Sequence, residues 1–303
     1  MNNDNTQLIS VCGHLCNDYI LNVDEYPEVG TSCRLINREY YYGGGAANIA
    51  VGIAKLGGQA ELIVAVGKDY IGSQYESYLN SIPGLTTRFY NTDTFNCSTA
   101  YMINNSKGDQ VTYFEKGAAS ILSEIDPPNL SFVHMATGNE IFNFNVSQKS
   151  EFASFDPGQD VKYYSSNSLS EILDNVNMVI CNRIEATIMC RILGCNIQDI
   201  ISRVPIVILT AGKNGSTLYY NNDTIEIPAC PSTQIDPTGA GDAYLSGWFT
   251  AYKKGYSLPV CCQIGSVTAS FAIEQIGSQT NLSNWDQMAD RYSDTFGTLK
   301  KSE

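Results

Sequence analysis

The segment Asp236-Pro237-Thr238-Gly239-Ala240-Gly241-Asp242 sets small residues directly ahead of a helical pattern and ends on a carboxylate. Over residues 243–254, Leu245, Trp248, Phe249 and Tyr252 share one face, Lys253 and Lys254 sit at the negative end, and Gly255 follows as a stop signal. Small residues at a helix start let backbone N–H groups converge on an anion, and the helix dipole adds attraction. Asp242 then falls in the first turn, aimed at the same place. A carboxylate does not help to bind an anion. It suits a group that takes the proton from a hydroxyl attacking a phosphoryl group. The alternative is that Asp242 caps the helix and the glycines form only a turn. Tyr42-Gly43-Gly44-Gly45-Ala46-Ala47-Asn48 is a second glycine segment that opens a helix. Asn48 both donates and accepts, which suits a polyol hydroxyl, or it occupies the polar face of an ordinary helix entry.

Elements must hold these segments in place. Apolar runs at Leu8–Cys12, Leu62–Val66, Phe132–Met135, Phe152–Phe155, Met178–Cys181 and Ile206–Leu209 read as buried strands. Helical patterns fall between them, over Ala46–Leu56 before Gly57-Gly58 and over 185–193 before Gly194. This alternation predicts an α/β fold of three layers, with a mostly parallel sheet covered on both faces. In such sheets ligands bind beyond the carboxyl ends of the strands. Here Gly13, Asp156, Asn182 and Thr210 stand at those ends. Residues 16–42 and 94–115 break the alternation, and Ser98–Ile103 and Gln110–Phe114 around a polar turn predict a hairpin. We expect a core of residues 1–15, 43–93 and 116–303, and a small β piece of 16–42 and 94–115.

Composition narrows the function. The chain has 303 residues, 43% of them apolar, and a formal net charge of −13, which disfavours nucleic-acid partners. No long apolar run or export signal appears, so no membrane role and a cytoplasmic location are expected. Cys12, Cys181, Cys261 and Cys262, among ten cysteines, lie in apolar runs and are expected as buried thiols rather than bridges. The phosphate-binding pattern Gly-x-x-x-x-Gly-Lys-[Ser/Thr] does not occur.

In order and separation, the two glycine segments resemble the two signatures of the ribokinase, or PfkB carbohydrate kinase, family. The 42–48 form is similar to that of its archaeal nucleoside and sugar kinases. Four further segments fit: Gly13 to Asp18 with Tyr26-Pro27, Gly67 to Gly72, Asn182-Arg183-Ile184-Glu185, and Thr210 to Gly215. The resemblance implies a ribokinase-like fold whose β piece is a lid, which can also mediate a homodimer. It implies an ATP-dependent kinase with Asp242 as general base and Gly239, Ala240 and Gly241 as anion hole. Asp18, Gly43, Gly44 and Asn48 would bind substrate. Thr210, Gly212, Gly215 and Asn182 would bind nucleotide, with 269–277 near adenine. Glu185 and Asn182 would organise Mg²⁺ through water. Some members bind a monovalent cation near the second loop, and Pro237, where many have Thr, leaves that site open. Gly45 stands where ribokinases and phosphosugar kinases often have Lys. Arg34, Arg38, Arg88 and Lys116 are the candidate cations for a phosphorylated substrate.

The leading substrate is a nucleoside, whose base would stack on aromatics among Tyr40, Tyr41, Tyr42, Phe95 and Phe114; those side chains could equally pack the β piece. A sugar is the runner-up. A non-catalytic nucleotide or sugar sensor is the alternative of another class, and a dehydrogenase lacks its Gly-x-Gly-x-x-Gly loop after the first strand.

Overall fold

A computed structural model describes residues 8–301. In chain order the strands are β1 (Leu8–Gly13), β2 (Cys16–Val23), β3 (Leu35–Gly43), β4 (Gln59–Val66), β5 (Leu85–Asn91), β6 (Ser98–Asn104), β7 (Gln110–Glu115), β8 (Leu130–Met135), β9 (Ser150–Phe155), β10 (Met178–Asn182), β11 (Ile206–Thr210), β12 (Ser216–Tyr220) and β13 (Asp223–Ile227). The α-helices are α1 (Gly45–Lys55), α2 (Gln74–Asn80), α3 (Glu140–Gln148), α4 (Ser166–Asn175), α5 (Arg183–Leu193), α6 (Ile197–Arg203), α7 (Ala240–Lys253), α8 (Leu258–Ala272) and α9 (Trp285–Phe296).

Nine strands form the central sheet in the order β13-β12-β11-β10-β9-β8-β1-β4-β5. Pairing is parallel from β11 to β5, and β12 and β13 add an antiparallel edge. The six apolar runs are strands because both of their faces are buried. Leu62, Val64 and Val66 of β4 enter one core, and Ile63 and Ala65 enter the other. The first core also holds residues of α1, α2, α7, α8 and α9, and the second holds residues of α3 to α6. The chain is therefore a three-layer α/β/α fold. Cys12, Cys181, Cys261 and Cys262 are buried in this packing. No helix among the described residues is long and apolar enough to cross a membrane.

Three strands of the central sheet, β5, β12 and β13, lie outside the six apolar runs. Thr86, Thr87 and Arg88 interrupt β5 with polar, exposed side chains. β12 and β13 join through Asn221 and Asn222, both at positive φ, in a two-residue turn that Asn tolerates.

A separate four-stranded sheet has the order β3-β2-β6-β7. β2 pairs with β6 in parallel, and the two outer pairs are antiparallel. The 98–114 hairpin is β6 and β7. Gly67 and Asp69 hold the entry to β6: Cys97 N–H donates to Asp69 Oδ1 at 2.7 Å, and a Cβ on Gly67 would meet the 96–97 backbone.

The chain turns outward from the middle of the central sheet. β4 and β5 extend it on one side of β1, while β8 to β11 extend it on the other. A crevice opens at such a reversal of strand order, beyond the carboxyl ends.

Candidate active site

Two cavities lie along that crevice. The first, about 490 Å³, is bounded by the carboxyl ends of β1, β8, β9 and β10, by the starts of α1 and α7, and by the inner face of the small sheet. The second, about 620 Å³, lies between the β11–β12 turn and α7 and α8. Pro237, Ala240 and Gly241 line both, so the two cavities share the loop that starts α7.

Gly239 is the N-cap of α7 at φ 78°, and a Cβ there would sit 2.6 Å from the Ser278 Cβ. Only glycine fits that combination of backbone and neighbour. The N–H of Ala240 donates to the Pro237 carbonyl at 3.2 Å. The N–H groups of Gly241 and Asp242 stand in the first turn, where a helix supplies no acceptor of its own. A Cβ added to Gly241 meets nothing within 4 Å, because it would project into open cavity. Asp236 ties this loop down, accepting from Thr238 N–H at 2.9 Å and Gly277 N–H at 3.1 Å.

Asp242 and Asn48 meet across the first cavity. Asn48 Nδ2 donates to Asp242 Oδ2 at 2.7 Å. Desolvation in the cavity wall pushes the Asp242 carboxyl up to about 7; the Asn48 hydrogen bond opposes this, and the charges of Asp18 and Glu185 add to it. Asp18, on β2, is buried, which raises it to about 6. Gly43 leaves room for that carboxylate, since a Cβ there would lie 1.9 Å from Asp18 Oδ2. Gly43 itself does not line the cavity, whereas Gly44, Gly45, Asp18 and Asn48 do.

Asn182 caps α5. Its Oδ1 accepts from Ile184 N–H at 2.8 Å and Glu185 N–H at 2.9 Å, and Glu185 Oε2 accepts from Asn182 N–H at 2.7 Å. Both lone pairs of the Asn182 oxygen are taken, so only its amide N–H groups are left to act outward. Asp156, at the end of β9, lines the same wall. Burial and then the neighbouring Glu185 charge hold its carboxyl well above the usual range. Its place beyond a strand end was the signal for it in the sequence.

Thr210, Gly212 and Gly215 line the second cavity with Lys213. Gly215 is at φ 82°, and a Cβ there would strike the Ile227 carbonyl at 2.0 Å. Its lack of a side chain lets the turn close against β13. Ala269, Ser270 and Ile273 of the 269–277 stretch reach this cavity, beside Tyr244 and Cys230.

The first cavity carries Asp18, Asp156, Glu185 and Asp242, and no Lys or Arg lines it among the described residues. Arg34, Arg38, Arg88 and Lys116 all lie off its lining, and Arg88 pairs with Glu61. Of the five aromatics considered for stacking, Phe114 lines it, stacked on His14 at 5.1 Å between ring centroids. Burial keeps His14 neutral by lowering it to about 4. Tyr42 packs on Tyr75 and Tyr78 instead, and Tyr40 packs on Tyr19.

The family model for pfkB family carbohydrate kinases matches residues 6–285. The chain belongs to the pfkB carbohydrate kinase family. This pfkB kinase is 41% identical to a nucleoside kinase of Methanocaldococcus jannaschii over 93% of its own length and 96% of that protein's. It is 34% identical to a nucleoside kinase of Methanothermobacter thermautotrophicus, over 94% and 95% of the two chains. The crystal structure of the Methanocaldococcus jannaschii nucleoside kinase superimposes with a TM-score of 0.88 at 39% identity, covering 95% of this pfkB kinase and 98% of that chain. The ribokinase-like fold and the enzyme class follow: this pfkB kinase is a phosphotransferase with an alcohol group as acceptor.

Proposed function

We propose that this pfkB kinase transfers the γ-phosphoryl group of ATP to a hydroxyl of a nucleoside, with Asp242 as general base. The observation that carries this reading is the shared loop: the cavity holding Asp242 and the cavity lined by Thr210, Gly212 and Gly215 meet at Pro237, Ala240 and Gly241. Transfer across that loop needs no movement of substrate from one cavity to the other.

Asp18 and Asn48 orient the acceptor hydroxyl toward Asp242. Asn48 keeps one N–H and one lone pair for the substrate after its internal bonds. A carboxyl raised to about 7 takes up a proton readily near neutral pH, the condition for an efficient base. The N–H groups of Gly241 and Asp242 and the α7 dipole hold the charge that develops on the transferred group. In this reading Ala240 supplies backbone shape, because its N–H is already committed. Ala269 and Ile273 give the adenine an apolar wall.

The family implies Mg²⁺, and the residues present suit an ion held largely through water and phosphate. Asp156 and Glu185 each keep one carboxylate oxygen without a hydrogen bond, and their mutual charge favours a cation between them and the phosphates. No group of three or more His, Cys, Asp or Glu forms a metal cage among the described residues. When bound, the ion would neutralise charge on the β- and γ-phosphates.

The substrate cavity is negative, which favours a neutral acceptor over a sugar phosphate. Ala100, Met102 and Phe114 give the small sheet an apolar shelf in the cavity wall, and Asp18 of the same sheet pairs in register with Ala100. A nucleoside carries both a base for such a shelf and a ribose for Asp18 and Asn48, and the two archaeal relatives are nucleoside kinases. A free sugar is the second reading, supported by Asp18 and Asn48 alone. We propose that the small sheet acts as a lid over this cavity and excludes water.

Its outer face suits a second copy of the chain. Tyr40, Tyr19, Tyr101 and Tyr113 lie in one register row across all four strands, with Tyr101 39% and Tyr113 64% exposed.

An ATP-consumption screen over nucleosides, pentoses, hexoses and sugar phosphates tests the substrate. Turnover is expected with at least one nucleoside and not with sugar phosphates. A sugar phosphate as the best acceptor would refute the reading.

A further inference from the structure

Asn48 does not choose its own orientation. Its Oδ1 accepts from Gln279 Nε2 at 2.8 Å, and the same Nε2 donates to the Tyr75 hydroxyl oxygen at 2.8 Å. The Tyr75 hydroxyl in turn donates to the Gly43 carbonyl at 2.8 Å. Gly43 precedes the helix that carries Asn48, so the chain of bonds returns to the same glycine segment.

We infer that Gln279, backed by Tyr75, is a positioning residue that fixes which face of the Asn48 amide is turned toward Asp242.

The direction of every bond follows from one fixed end. A backbone carbonyl only accepts, so the Tyr75 proton is committed to Gly43. The Tyr75 oxygen is then left as an acceptor, and Gln279 must turn its amide N–H groups toward it. The remaining Gln279 N–H faces Asn48, which must answer with Oδ1. Asn48 therefore presents Nδ2 to Asp242, the only orientation that suits an ionised carboxylate. Turned the other way, Asn48 would set an oxygen against Asp242 and favour its protonated form, which cannot act as a base.

Burial makes this relay stiff. Tyr75 is 1% exposed, Asn48 4% and Gln279 8%, so water has little access to substitute for a lost partner. Gln279 Oε1 is buried with no partner. An unsatisfied acceptor is a cost, but exchanging the two ends of the amide would set Oε1 against the Tyr75 and Asn48 oxygens and leave both N–H groups buried without a partner. The arrangement thus favours the donors of Gln279 over its acceptor. Ser278, beside it, lies against Gly239, so the same short segment touches the phosphate loop and the amide relay.

This inference rests on the reading of Asp242 as the base, and the experiment separates the two. ATP consumption by the full chain is measured with inosine, adenosine, cytidine and ribose as acceptors, and the fastest is carried forward. Gln279→Leu removes both donors and is expected to lower kcat about tenfold, with the KM for ATP unchanged. Tyr75→Phe, which deletes one oxygen, is expected to lower kcat severalfold and serves if the leucine variant does not fold. In an Asn48→Ala background neither change should lower kcat further, since the relay acts only through Asn48. Wild-type kcat in both single variants, or equal losses with and without Asn48, would overturn the inference. Turnover retained by Asp242→Asn, or no turnover by the unaltered chain with any acceptor, would instead overturn the reading of the site and this inference with it.

Discussion

Small side chains around Asp242 do different jobs, and one of them can be tested alone. Gly239 and Gly215 are required by backbone conformation and close neighbours, whereas Gly241 has free space where a Cβ would go. Alanine is also the better helix former by up to about 1 kcal/mol. Gly241→Ala should therefore fold at least as stably as the natural chain by thermal melting. It should lose turnover by about tenfold or more, because the methyl takes the space of the transferred phosphoryl group. Equal activity would show that the phosphoryl group passes elsewhere. Asp242, Asn48 and Asp18 were legible in the sequence because glycines mark the helix starts that carry two of them. Gln279 and Tyr75 were not. A glutamine in a polar loop resembles any surface residue, and its partner Asn48 lies 231 positions away. Asn182 stands out in the sequence as a candidate beyond a strand end, but its capping role was visible only once both backbone donors were in place.

The site depends on how closely α1 and α7 approach, since one carries Asn48 and the other Asp242. Their contact is built on Gly52, where a Cβ would fall 2.2 Å from Ser246 Oγ. Ser246 Oγ lies 3.1 Å from the Ile49 carbonyl and 2.8 Å from the Asp242 carbonyl, its one proton shared between them, so it ties the two helices next to Asn48 and Asp242. Gly52→Ala should force the helices apart, with about 1–3 kcal/mol lost in denaturant unfolding and a fall in kcat that accompanies it. Unchanged stability would show that the helices do not set this spacing. The helices and buried strands were legible because apolar runs and helical periodicity are local signals. The edge strands β5 and β13 were not, because edge strands carry polar residues and bury less, and β12, paired on both sides, is only a five-residue run beside that polar edge. The glycine of this helix contact was equally silent, since only the partner serine gives it meaning.

At the level of the whole molecule, the fold class could be read from alternating elements, but the shared wall between two cavities could not. That wall joins the start of α7 to strand ends and to a sheet built from two distant stretches. The tyrosine row of the same sheet is the contact proposed above for a second copy. Tyr101→Glu with Tyr113→Glu should convert a dimer to a monomer in sedimentation equilibrium, since two buried carboxylates at an apolar contact are strongly unfavourable. A natural chain that sediments as a monomer, or a dimer that survives both changes, would remove this face as the contact.

In the proposed reaction Asp242 takes the proton of the acceptor hydroxyl during phosphoryl transfer from ATP. The most direct test of this role is the rate of nucleoside-dependent ATP consumption by Asp242→Asn, with ATP binding measured alongside. A loss of roughly 10²–10⁴-fold in kcat with ATP affinity retained is expected. Turnover close to that of the natural chain would contradict it.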